Sequence, residues 1–203
     1  ERSQNLNPIY VDMTNLEKVK RALDEHDVKF IWVETPTNPT LKVSDLEAIA
    51  QLAEQHGAIA ACDNTFASPI LQRPLELGMH IVMHSATKYI GGHSDLLLGA
   101  VVAKEDTRML TNLRNWQHAK GAVPSSFDCW LALRGVQSLS ARMRVHCANA
   151  KEIADFLKQH DRVEAVHYPG LENHPSHEVA KKQMSDFGGL LSFQVKGGEK
   201  EAL

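Results

Sequence analysis

Two runs decide the fold: Ala58-Ile59-Ala60-Ala61-Cys62-Asp63 and His80-Ile81-Val82-Met83-His84-Ser85-Ala86-Thr87-Lys88. Each begins as a short apolar stretch and ends on a polar group with chemical potential. The first lacks polar alternation altogether. Strands of that kind are usually buried on both faces, as in a parallel sheet covered by helices. Val28 to Val33, rich in β-branched and aromatic residues, reads as a strand of the same sheet, and so does Leu96 to Ala103. Pro8 to Val11 reads as a shorter one.

Helical signals separate these strands. Thr14 with Glu17, and Ser44 with Glu47, have the spacing of capping boxes. The first opens a helix to about Asp24. The second opens one whose apolar positions Leu46, Ile49, Ala50 and Ala53 form a single stripe. Gly57 suits a left-handed cap at its end. Between Val33 and Ser44, Pro36 and Pro39 preclude regular structure. Strand–helix–strand order predicts an α/β fold with a mostly parallel sheet, and ligands at the carboxyl ends of its strands.

The later half changes character. Glu105 to His118 and Ser126 to Arg134 read as helices. Ser138 to His160 reads as a long helix with Leu139, Met143, His146, Ala150, Ile153 and Leu157 along one side, and Gly135 as the joint before it. Val163 to Tyr168, a helix from about His177 to Met184, and Leu190 to Val195 open a second α/β unit. Both ends suggest a piece of a longer protein. Glu1 to Tyr10 contain no initiator methionine and run straight into a strand-like segment, and Lys200 to Leu203 read as the opening of a helix.

Composition narrows the function. The chain has 203 residues, 43% hydrophobic and 23% charged, an ordinary globular balance. A net charge of −3 argues against a nucleic-acid partner, which would call for a basic stripe. The longest apolar run, Leu96 to Ala103, is too short to span a membrane. Three cysteines, Cys62, Cys129 and Cys147, without regular spacing, suggest reduced thiols in a cytoplasmic protein rather than a disulfide framework. His174 and His177 have a metal-like spacing, but nothing completes a ligand set, so no metal is expected.

Two groups remain that can do chemistry together: the carboxylate of Asp63 and the amine of Lys88, at successive strand ends, with the hydroxyls of Thr65, Ser85 and Thr87 nearby. Alone, each has a plain structural reading. Asp63 is a turn cap, Lys88 a solvated surface residue, and Ser85 and Thr87 turn hydroxyls. Together they meet the needs of an aldehyde cofactor carrying a pyridine ring and a phosphate. That group needs a lysine to form an imine. It needs an acid at the ring nitrogen to keep it protonated, and small donors around the phosphate. No Walker-type phosphate loop is present.

The string Ser85-Ala86-Thr87-Lys88-Tyr89-Ile90-Gly91-Gly92-His93-Ser94-Asp95 resembles the pyridoxal 5′-phosphate (PLP) lysine signature of the Cys/Met-metabolism family of fold type I PLP enzymes. So do Glu34-Thr35-Pro36-Thr37-Asn38-Pro39, Asp63-Asn64-Thr65-Phe66, and Tyr168-Pro169-Gly170-Leu171 with His174-Pro175 and His177-Glu178. The resemblance covers essentially the whole chain. It implies that Lys88 bonds PLP and later shuttles protons, and that Asp63 pairs with the pyridinium nitrogen. Ser85 and Thr87 would bind phosphate, Asn38 the ring's phenolic oxygen, and Thr65 would pack beside the ring. Lys88 must be neutral to act as a base, for which burial beside positive charge is expected. Glu34 receives no chemical role, and neither His84 nor His93 is assigned one.

The resemblance further implies that residues 1–137 are part of a large PLP-binding domain. Residues 138–203 would be a linking helix and the start of a smaller C-terminal domain. The ring-stacking tyrosine, a glycine-rich phosphate turn and the arginine that grips the substrate carboxylate would lie outside this sequence. The parent would be a homotetramer of dimers acting on a small amino acid. Gly121-Ala122-Val123-Pro124-Ser125 with Asp128-Cys129 is most similar to cystathionine γ-lyases, ahead of cystathionine γ-synthases and methionine γ-lyases, with homoserine sulfhydrylases a further option. Two readings of other classes stand beside these: a lysine-imine aldolase, which would not need Asp63, and an inactive PLP-binding fragment or scaffold.

Overall fold

The computed structural model describes residues 6–104 and 107–202. Strands β1 (Phe30–Glu34), β2 (Ile59–Asp63), β3 (Ile81–Ser85) and β4 (Gly99–Ala103) form one sheet in the order β1-β2-β3-β4. β1, β2 and β3 run parallel, and β4 returns antiparallel along β3. The mostly parallel α/β sheet expected from the sequence is therefore present.

Helices α1 (Leu16–Glu25) and α2 (Leu46–Gln55) cover one face of the sheet. Leu46, Ile49, Ala50 and Ala53 are all buried there, packed with Ile31, Val33, Ala60 and Cys62. Gly57 follows at φ 67°, as its place after the helix requires. The in-register pairs Phe30–Ile59, Trp32–Ala61, Glu34–Asp63 and Asp63–Met83 share the opposite face. Among the described residues that face is poorly covered, with Trp32 49% and Phe30 48% exposed.

Several local expectations shift. Pro8–Val11 joins no ladder among the described residues, and Val11 packs against the helix-side core instead. Neither capping box forms as expected. The Thr14 hydroxyl is drawn upstream, donating to Asp12 at 2.7 Å, and Asn15 caps α1 by accepting from the Lys18 N–H at 3.1 Å. Ser44 is committed elsewhere, its N–H to Thr35 Oγ1 and its carbonyl to Gln183. Asp45 caps α2, accepting from the Ala48 N–H at 3.0 Å.

After the short α3 (Ser68–Leu71) and α4 (Thr107–Lys120), helix α5 runs unbroken over Ser126–Lys158. Gly135 is thus no joint. It is a site of close approach, because a Cβ there would meet the carbonyl oxygens of Ile90 and Gly91. The buried side of α5 reads Gly135, Leu139, Met143, Cys147, Ala150 and Ala154, a true helical period over 33 residues. Cys147 and Ala154 therefore take the buried places expected of His146 and Ile153. A two-stranded antiparallel sheet of β5 (Val163–His167) and β6 (Ser192–Val195) packs beside α5, with α6 (His177–Gln183) between its strands and α7 (Glu199–Ala202) after them. Glu105, expected to begin the α4 helix, and Leu203 lie outside the described residues.

Candidate active site

The carboxylate in the turn after β2 is oriented by its own neighbour. Asp63 Oδ1 accepts the Thr65 N–H at 3.0 Å and the Thr65 hydroxyl at 2.6 Å. Thr65 Oγ1 in turn accepts the Ser85 N–H at 2.8 Å, tying β2 to β3. Behind it, buried Asn64 donates to the carbonyls of Ser68 and Gln72 and accepts from Gln72 Nε2 at 2.8 Å. Gln72 also bonds Gln183 Nε2, and Gln183 holds the Leu46 N–H and the Ser44 carbonyl. This chain of amides anchors the strand end to α6. The second carboxylate oxygen, Asp63 Oδ2, has no hydrogen-bond partner among the described residues.

The turn after β3 carries Lys88. Its N–H bonds the Ser85 carbonyl at 3.0 Å, and the Gly91 N–H closes on the Ala86 carbonyl at 2.7 Å. Thr87 Oγ1 accepts the Leu98 N–H at 3.0 Å, which keeps Leu98 off the ladder and starts β4 at Gly99 rather than Leu96. The Lys88 amine makes no hydrogen bond or ion pair among the described residues. It opens into a cavity of about 1040 Å³. Asn38, Phe66, Thr87, Arg142 and Leu190 are among the residues lining that cavity.

The structure brings together only part of the expected set. Lys88, Thr87 and Asn38 line one cavity; Asp63, Thr65 and Ser85 do not line it but stand at the adjoining strand ends. Asp63 and Ser85 project from the same sheet face, as their register on β2 and β3 requires. The Ser85 hydroxyl has no partner among the described residues, whereas that of Thr87 is already engaged by Leu98. The expected burial of Lys88 is not found. It is exposed, because the residues after it fold back onto α5 and leave the side chain at the cavity mouth.

Glu34 acquires a task that its sequence did not disclose: Oε1 accepts the Asn38 N–H at 3.0 Å and shapes the loop that carries Asn38. That loop is pinned from the second unit as well, by Ser192 Oγ on the Pro39 carbonyl and by His174 Nε2 on the Thr40 carbonyl. His177 is also structural, its Nδ1 2.8 Å from the Pro169 carbonyl. Among the described residues no cluster of three acidic, histidine or cysteine side chains could hold a metal. No described helix is long and apolar enough to cross a membrane. Burial pushes the Cys62 thiol far up, so the cysteine beside Asp63 stays protonated.

The profile of the Cys/Met metabolism PLP-dependent enzymes matches residues 2–203. The chain belongs to that family. A cystathionine β-lyase of Coxiella burnetii is 47% identical over 196 residues, which are 97% of this chain and 50% of that protein. A cystathionine γ-lyase of Dictyostelium discoideum is 49% identical over 188 residues, 93% of this chain and 48% of the other. Among solved structures, a cystathionine γ-synthase of Xanthomonas oryzae, in complex with aminoacrylate and cysteine, superposes with a TM-score of 0.92 at 44% identity. It is covered to 50%, against 96% of this chain. The chain thus spans about half the length of these relatives. Membership explains the fold type I architecture and makes PLP the family's cofactor. The residues present fit that cofactor: a free amine in a roomy cavity, a half-engaged carboxylate one strand away, and an unpartnered hydroxyl between them.

Proposed function

We propose that this protein, at its full natural length, is a PLP-dependent trans-sulfuration enzyme acting at the γ-carbon of a sulfur amino acid. Its proposed reaction converts cystathionine and water to cysteine, 2-oxobutanoate and ammonia. The observation that carries the reading is the pairing of an unengaged Lys88 amine with an Asp63 carboxylate that has one oxygen fixed and one free.

Bound PLP supplies an electron sink that accepts the charge left at a substrate carbon when its proton departs. Lys88 would hold the cofactor through Nζ and, once released by the substrate amine, would take the proton from Cα at Nζ. Asp63 holds a proton at the ring nitrogen through Oδ2, while Thr65 fixes Oδ1 and the carboxylate plane. Asn38 orients the ring's phenolic oxygen, and Ser85 and Thr87 hold the phosphate. Transfer of a β-proton to a base would then let the bond from the γ-carbon to sulfur break, the β-carbon's electron pair forming the β,γ double bond while the sulfur leaves with the carbon–sulfur bonding pair and takes up a proton.

The string from Gly121 to Asp128 favours the γ-lyase reaction. The Coxiella relative favours β-cleavage, which releases homocysteine, pyruvate and ammonia. The Xanthomonas structure, with cysteine in its complex, favours synthesis from an acylated homoserine and cysteine.

Residues 1–137 would belong to the large cofactor domain and 138–203 to a linking helix and the start of a smaller domain, a division that the two separate sheets support. Exposed Phe127 and Trp130 flank cavity-lining Asp128 on α5, and support a partner subunit of a homotetramer approaching the cavity mouth. A cytoplasmic location is in keeping with Cys62, Cys129 and Cys147, all unpaired.

Incubating the full-length protein with PLP, reducing with borohydride and mapping peptides should place a pyridoxyl adduct on Lys88. No adduct, as an aldolase that does not hold PLP would give, contradicts the proposal, and an adduct without turnover of any of the substrates below would mark an inactive PLP-binding scaffold. Supplying cystathionine should yield 2-oxobutanoate. Pyruvate instead would establish β-cleavage, and turnover only of acylated homoserine with cysteine would establish the synthase.

A further inference from the structure

Arg142 lines the same cavity as Lys88, and a cation there invites the role of an anion clamp. Its hydrogen bonds argue otherwise. Nε donates to Ser138 Oγ at 3.0 Å and Nη1 to the Tyr89 carbonyl at 2.7 Å. Nη2 donates to the Gly135 carbonyl at 2.8 Å and to the Ile90 carbonyl at 3.5 Å. One bond from Nε, one from Nη1 and two from Nη2 commit four of the five N–H groups of a guanidinium. No carboxylate pairs with it among the described residues. Burial lowers its pKa, as expected for a charge held by carbonyl dipoles rather than by an anion.

Close packing completes the arrangement. Gly92, at φ 76°, leaves the space that the guanidinium occupies; any Cβ there would collide with it. Gly135 lets the helix backbone touch the carbonyls of Ile90 and Gly91. The two carbonyls that immediately follow Lys88 are thus held by a side chain more than fifty residues away in sequence.

We propose that Arg142 is a positioning residue for Lys88. It clamps the Tyr89–Gly92 backbone onto α5 and so sets where the lysine amine stands at the cavity mouth. This rests on Lys88 being the cofactor lysine, but the clamp itself is a property of the chain without cofactor.

The test uses the full-length protein as wild type, R142K and R142Q. Hydrogen–deuterium exchange in the cofactor-free protein should show faster exchange in the peptide spanning 86–92 for R142Q. The peptide spanning 59–66 should be unchanged. In the loaded enzyme, kcat should fall about 10- to 100-fold, the order expected for a displaced reacting group, with KM changed less than about threefold. R142K should restore part of the rate, since one ammonium can still reach the Tyr89 carbonyl. Unchanged exchange at 86–92, exchange that rises equally throughout, or a loss that falls wholly on KM overturns the proposal. A wild-type pyridoxyl adduct away from Lys88 would instead sink the reading beneath it, and the exchange data would still judge the clamp.

Discussion

The turns after β2 and β3 hold their chemical groups in opposite ways. The Asp63 carboxylate is oriented from within its own turn: Thr65, two residues on, supplies both of its hydrogen bonds, and the more distant ties to Ser85 and Gln183 reach Thr65 and Gln72 rather than the carboxylate. The Lys88 turn makes its inner bonds to Ser85 and Ala86, but the carbonyls that follow it are held by Arg142 and abut Gly135 on α5. On the roles proposed above, the acid that would stay fixed is oriented locally, and the amine that would exchange partners is set on a platform supplied from elsewhere in the chain.

Replacing the two chemical groups should have the largest effects. K88A should abolish the pyridoxyl adduct and lower turnover by at least about 10²- to 10⁴-fold, the range for a lost proton-transfer group. A normal rate in K88A would contradict the assignment. D63N should retain the adduct but lose about 10²- to 10³-fold in kcat, as expected when one preorganised electrostatic partner is removed. Loss of the adduct with kcat spared in whatever remains bound would reverse the roles.

The supports should cost less, and in different places. G135A should destabilise by about 1–3 kcal/mol through overpacking. T65V leaves the Ser85 N–H without its acceptor and should cost a similar amount, about 1–3 kcal/mol. Thermal melts measure both. Hydrogen exchange should locate the loosening at 86–92 for G135A and at 63–66 for T65V. The same pattern in both variants would erase the distinction between the turns.

The smallest effect is a pH slope. Buried His84 on β3 has its pKa lowered because burial disfavours the imidazolium, and His174 shifts the same way for the same reason. At these two sites the unfolded chain therefore binds more protons than the folded one below about pH 6.5, so their contribution to stability should fall as pH drops from 7 toward 5, opposed by His56, whose pKa is raised by its bonds to the Leu52 carbonyl and Asp24. H84F removes one of these histidines, along with a buried Nδ1 that has no hydrogen-bond partner among the described residues. The fall in melting temperature over that interval should be smaller in H84F than in the wild type. An equal fall in both proteins would show that His84 does not contribute.

What the sequence disclosed follows the same divide. The strand-end positions of Asp63 and Lys88 are legible because strand ends and short motifs are local. The stripe of α2 was legible because four buried positions recur at helical spacing. Asp63 and Thr87 do perform the plain turn-capping duties that their residue types suggest, and those duties leave Asp63 Oδ2 available. The cap positions fall one residue later than expected: the Thr14 hydroxyl bonds Asp12, and the Ser44 backbone is held by Thr35 and Gln183, partners 9 and 139 residues away, with the Ser44 hydroxyl making no hydrogen bond among the described residues. Gly135 was misread as a break because a glycine in a helix looks the same whether it ends the helix or admits another backbone. Arg142 gave no signal at all: a polar residue on a long helix acquires its role only once Tyr89 and Ile90 arrive beside it.

The central claim is that Lys88 and Asp63 bracket one pyridine ring. A crystal structure of the full-length protein with PLP measures this directly. The expected density joins Lys88 Nζ to the cofactor, with an Asp63 carboxylate oxygen within hydrogen-bonding distance of the ring nitrogen. A ring bonded to another lysine, or one whose nitrogen faces away from Asp63, would contradict it.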